Sequence, residues 1–87
     1  MNFEYEIKYM NGDDIIKLEK YLHQSAYHET QQNYYFKFNE DRSMVAIRDK
    51  NGYFSTNFTL NAFIDKAIVA IRMFFKFKHL EDQIPTK

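Results

Sequence analysis

Hydrophobic and polar positions alternate along most of this chain, and the alternation changes period in a way that predicts its elements. Phe3-Glu4-Tyr5-Glu6-Ile7-Lys8-Tyr9 alternates apolar and charged residues without a break, the period-two pattern of a strand. Phe3, Tyr5, Ile7 and Tyr9 are expected inward. Met10-Asn11-Gly12 then turns the chain, with Asn11 and Asp14 as an approximate capping box and Asp13 and Asp14 favoured by the positive helix N-terminus. The helix that follows is expected to run to about His23, with Ile15, Leu18 and Leu22 facing the core and Lys17 and Lys20 facing water. The segment from Ser25 to Gln32 is polar and mixed, and reads as a loop or a ragged strand start.

Tyr34, Phe36 and Phe38 alternate with Tyr35, Lys37 and Asn39, which predicts a second strand, and Asn39 to Ser43 forms a turn. Met44 to Arg48 is the third strand and Tyr53 to Phe58 the fourth. Between them, Asn51-Gly52 predicts a two-residue hairpin turn, because both central residues need positive φ. That turn pairs Lys50 with Tyr53, Arg48 with Ser55, Ile47 with Thr56 and Val45 with Phe58. Val45, Ile47, Phe54, Thr56 and Phe58 then share one face, joined by Tyr34, Phe36 and Phe38, while Tyr35, Lys37, Met44, Ala46, Arg48, Tyr53, Ser55 and Asn57 lie on a wet face.

Thr59 is placed to cap a closing helix from Leu60 to about His79. Its core stripe is Leu60, Ile64, Ala67, Ile68, Ile71, Phe74 and Phe75, with Asn61, Asp65, Arg72, Lys76 and His79 opposite. Phe63, Ala70 and Phe77 widen the stripe to about half the circumference, and Val69 and Met73 fall outside it. The expected fold is a single α+β domain over residues 1–80, of β-α-β-β-β-α order, with a four-stranded mainly antiparallel sheet and two helices on one face; residues 81–87 are expected to fray.

Composition narrows the chemistry. A chain of 87 residues buries only about 60 to 65% of the surface its unfolded form exposes, so nine Phe and seven Tyr must supply a dense core. With no Cys there is no disulfide and no thiol chemistry, which fits a reducing cytoplasm. The N-terminus lacks a signal-peptide pattern and no apolar run approaches the roughly 18 residues of a membrane span, so a cytoplasmic protein without membrane contact is expected. The net charge is zero, yet residues 1–41 carry net −4 and residues 42–80 net +5, an asymmetry that can draw phosphate or an acidic protein surface to the second half.

Candidate catalytic groups are few. His23 and His28 lie five apart and His79 stands alone, so the H-E-x-x-H spacing of a zinc site fails. Asp13 and Asp14 are explained by helix capping, Ser25, Ser43 and Ser55 lie near no predicted base, and glycines only at 12 and 52 exclude phosphate-cradling loops. No cofactor, metal or enzyme activity is expected. The α-β-β-β-α order is shared with the double-stranded RNA-binding domain, whose second helix opens with a lysine cluster. Here that helix opens Leu60-Asn61-Ala62-Phe63-Ile64-Asp65 with only Lys66, so the family is not assigned.

Two surfaces remain. The over-wide stripe of the closing helix, with Phe63, Ala70, Met73, Phe74 and Phe77 rimmed by Arg72, Lys76 and Lys78, is expected to bind a protein partner or a second copy of the chain as a homodimer. The wet sheet face interleaves Tyr35, Lys37, Arg48, Lys50 and Tyr53, the mixture of rings and cations that a single-stranded nucleic acid uses. The first surface leads, making the chain a non-catalytic interaction module. In size, absence of cysteine and AT-rich-looking composition it resembles small phage and mobile-element inhibitors of host defence complexes, including anti-CRISPR proteins. That resemblance implies a partner in a nucleic-acid-processing complex.

Overall fold

The computed structural model describes residues 2–30, 34–51 and 54–83. Its first element corrects the sequence expectation, since Phe3–Tyr9 is a helix, α1, and not a strand. The Asn2 side chain accepts a hydrogen bond from the Tyr5 N–H at 3.1 Å, and Glu4 and Glu6 sit in the first turn, where the helix dipole favours them. Seven residues of strict alternation necessarily contain the helical pairs 3/7 and 5/9. One pair faces in: Ile7 is fully buried and Phe3 stacks on Phe75 with centroids 5.4 Å apart. The other faces out, with Tyr5 and Tyr9 exposed and their rings 4.8 Å apart. An isolated helix this short would not hold, so tertiary packing decides the period.

Asn11 opens α2 (Gly12–Thr30) as expected, its side chain accepting from the Asp14 N–H at 2.8 Å. Leu18 and Leu22 are buried and Ile15 half-buried, while Lys17 and Lys20 are exposed. The helix does not stop at His23. It runs on through Ser25 and Ala26, both half-buried, so the segment read as a loop or ragged strand is helical as far as Thr30. Residues 31 and 32 of that segment lie outside the described residues.

Three strands follow, β1 (Tyr35–Phe38), β2 (Met44–Arg48) and β3 (Phe54–Thr59), in one antiparallel sheet of order β1-β2-β3. Among the described residues the sheet thus has three strands where four were expected, because the first expected strand is α1. Val45 pairs with Phe58 and Ile47 with Thr56, as the turn register predicts. A bulge between Ile47 and Arg48 then sets Arg48 opposite Phe54 instead of Ser55. Gly52 and Tyr53, and with them the hairpin tip and the Lys50–Tyr53 pair, lie outside the described residues.

Thr59 caps α3 (Leu60–Lys66), accepting from the Ala62 N–H at 3.3 Å. Ala67, at φ −107° and ψ 24°, then separates α3 from α4 (Ile68–Gln83). The expected single closing helix is therefore two. The hydrogen bonds from Ala67 N–H to the Phe63 carbonyl and from Ile71 N–H to the Ala67 carbonyl, both 2.9 Å, bracket the joint. α4 also extends to Gln83, three residues into the segment expected to fray. Residues 84–87 are outside the described set.

The domain is α+β, with one core. Phe38, Val45, Phe63, Ile64, Ile71, Phe74 and Phe75 are buried in it together with Ile7, Leu18, Leu22 and Leu60. Among the described residues no helix is long and apolar enough to cross a membrane.

Candidate functional site

The expected contact stripe splits in two once the closing helices are packed. Phe63 is 1% exposed, its ring 5.7 Å from Phe36 and 6.0 Å from Phe38 by centroid, and Phe74 is buried against Phe75 and Tyr21. Both are core residues and are corrected as such. They follow Leu60 and Ile71 by three positions, so they share the buried side of their helices. Ala70 is half-buried. Met73 and Phe77 are 39% and 49% exposed, and Arg72 and Lys76 beside them are exposed.

Sequence reasoning missed Val69, which is 68% exposed. Val69, Met73 and Phe77 follow one another at i, i+4 and i+8, one line along α4. That spacing was available in the sequence. What hid it was counting Phe77 as a margin of the core stripe and setting Val69 and Met73 outside it, instead of reading the three as a stripe of their own.

The line runs beside the seam where α4 lies antiparallel to α2. Asp14 and Lys78 form an ion pair of 3.5 Å at one end, Tyr21 meets Phe74 at 5.7 Å in the middle, and Ala26 reaches the Val69 level at the other. Two hollows open along it. One, of about 550 Å³, is lined by Lys17, Lys20, Tyr21, Phe74 and Phe77. The other, of about 230 Å³, is lined by Leu22, Ala26, Phe36, Phe63 and Val69 and so reaches down to the core rings. The small side chains of Ser25 and Ala26 leave that second hollow open where larger ones would close it. Lys17 and Lys20 on the α2 side, and Lys66, Arg72 and Lys76 on the α3–α4 side, give the apolar line a cationic border. α2 brings two of these five cations, a contribution invisible until the helices are paired.

The sheet face is also open. Tyr35 and Arg48 are direct cross-strand partners and both are exposed, as are Lys37, Lys50 and Asn57. Tyr53 lies outside the described residues. Two members of the set are already engaged with α2: the Tyr35 ring stacks on His23 at 4.4 Å and 17°, and Lys37 lies 3.9 Å from Glu19.

The contacts to His23 and Glu19 have a structural purpose. His23 Nδ1–H donates to the Tyr34 carbonyl at 2.6 Å, which fixes the proton on Nδ1, and the Phe38 N–H donates to Glu19 Oε2 at 3.0 Å. Residues 19 and 23 are one helical turn apart, and their side chains satisfy outward backbone groups along the edge of β1. His23 is thereby a structural residue. His79 is exposed, and the His28 side chain is outside the description. Among the described residues no three His, Cys, Asp or Glu gather to hold a metal.

Arg42, in the β1–β2 turn, has the left-handed φ of 62°. Its guanidinium donates to the carbonyls of Ile7 at 2.9 Å and Lys8 at 3.2 Å, and to that of Met10. A cation there meets the negative end of α1, so this is a staple for α1 and not a binding group. Set against protein-family models, curated proteins and solved structures, the chain matches none, and its function is read from these surfaces alone.

Proposed function

We propose that the chain is a non-catalytic protein-binding module that docks its partner on the α2–α4 seam. The observation that carries this reading is the line Val69–Met73–Phe77, three large apolar side chains held in solvent on one helix beside hollows that lead to the core. Exposed singly, such residues need no explanation. Aligned over hollows and bordered by cations, they form the apolar centre and polar rim of an interface. Fully burying side chains of this kind stabilises a complex by about 1.5 to 3 kcal/mol each. Inhibition of a host defence complex, suggested by size and composition, is one activity a module of this kind performs.

The double variant Val69→Asp with Phe77→Asp tests the proposal. Both side chains stand at the surface, so the urea midpoint is expected to shift by about 1 kcal/mol or less, while capture of the partner from the source cell is lost. Unchanged capture by a folded variant defeats the reading.

The exposed Tyr35–Arg48 pair supports a second reading, in which the sheet face binds single-stranded nucleic acid by stacking and phosphate contact. Its mark is affinity that falls steeply with salt and weakens on Lys37→Ala with Arg48→Ala. Absence of a gel shift at low salt removes it.

A further inference from the structure

We infer that the seam takes an amphipathic helix with acidic flanks from a partner protein, an inference that rests on reading the Val69–Met73–Phe77 line as a docking surface. The shape of the seam selects a helix. Its walls are two α-helices whose backbone groups bond internally, so the floor is made of side chains and offers no sheet edge. An extended segment laid there would bury N–H and C=O groups without partners, whereas a helix brings its own satisfied. The seam spans α2 from Asp14 to Ala26, about 18 Å at 1.5 Å per residue, or roughly three turns.

Charge selects the flanks. Lys17, Lys20, Lys66, Arg72 and Lys76 border the apolar line, and none of them makes an ion pair among the described residues. Lys66 lies 5.6 Å over the Phe58 ring, and Lys78 is committed to Asp14. Of the acidic residues, Asp14 lines the hollow at Phe77, at one end of the seam, and is paired with Lys78. A second copy of the chain would set these cations against their own kind, and a flat bilayer would leave the hollows unfilled. Glu or Asp on both sides of an apolar helix face meets the cations while its larger side chains enter the hollows at Phe77 and Val69.

The test titrates the isotope-labelled full chain with two synthetic 18-residue helical peptides that share one Leu face, one flanked by Glu and the other by Lys, and separately with phosphatidylglycerol vesicles. Saturable shifts at the amides of residues 69–77 are expected with the Glu peptide, at an affinity at least tenfold above the Lys peptide, and are expected to be lost in Phe77→Asp. Equal affinity for the two peptides, or binding to neither, overturns the inference. So does vesicle binding without peptide binding. If native-partner capture still depends on Val69 and Phe77 in those cases, the docking surface stands and only its occupant is wrong; if capture is independent of both residues, the docking surface falls as well.

Discussion

Arg42 joins two parts of the chain that are 35 residues apart, and its side chain meets three carbonyls where α1 ends. Hydrogen bonds from a charged donor contribute about 1.5 to 3 kcal/mol. Arg42→Ala is therefore expected to cost about 2 kcal/mol in urea unfolding; all three contacts are made by Nη1 alone, so Arg42→Lys, whose ammonium also carries three donors, is expected to recover part of that cost. A cost under about 0.5 kcal/mol would show that α1 holds without its staple. Next to it, the exposed Asp41 carboxyl accepts from the Ser43 hydroxyl at 2.6 Å and from the Ser43 N–H at 2.9 Å. These bonds, the hydroxyl's first, hold its pKa below the ordinary carboxylate value. The contribution is present above the unfolded value of about 4 and is lost as pH falls below it through the folded value. Asp41→Asn should make stability less sensitive to acid in that window, as read from denaturation midpoints at several pH values. An unchanged acid limb would contradict the assignment.

At the scale of the element, α2 does two jobs: it carries Leu18 and Leu22 into the core and it closes the β1 edge with Glu19 and His23. Glu19→Ala removes the acceptor of the Phe38 N–H and leaves that group half-buried. The expected cost is about 1 to 2 kcal/mol, together with faster amide exchange at Phe38 than at Val45, whose strand is paired on both sides. Protection at Phe38 equal to wild type would count against the edge role. Local signals for several elements were legible in the chain itself. Asn11 and Thr59 cap where their spacing says they should, and Val45 pairs with Phe58 as expected, although the bulge after Ile47 breaks that register before the turn is reached. Residues 3–9 were misread because strict alternation satisfies both periods, and the choice between them is made by Phe75 and Arg42, distant in sequence. The far half of α2 was missed because the segment from Ser25 to Gln32 is polar and mixed, although the smallness of Ser25 and Ala26 is what lets them sit beside the hollow under Val69.

For the whole molecule, the uneven charge along the chain becomes spatial only in part. α2 comes from the acidic half, yet its Lys17 and Lys20 join Lys66, Arg72 and Lys76 from the basic half around one apolar line. Of the contact residues expected from sequence, Met73, Phe77, Arg72 and Lys76 are at the surface, while Phe63 and Phe74 belong to the core. Burial of these two rings depends on which side of the closing helices meets the sheet and α2, and the sequence stripe alone, covering about half the circumference, does not distinguish its centre from its margin. The most direct measurement is hydroxyl-radical footprinting of the chain, free and bound to the partner with which it is captured from its source cell. Val69, Met73 and Phe77 should label readily when free and be protected when bound, with Tyr35 labelled in both states. Protection of Tyr35 with continued labelling of Met73 and Phe77 would contradict the account and move the contact to the sheet face.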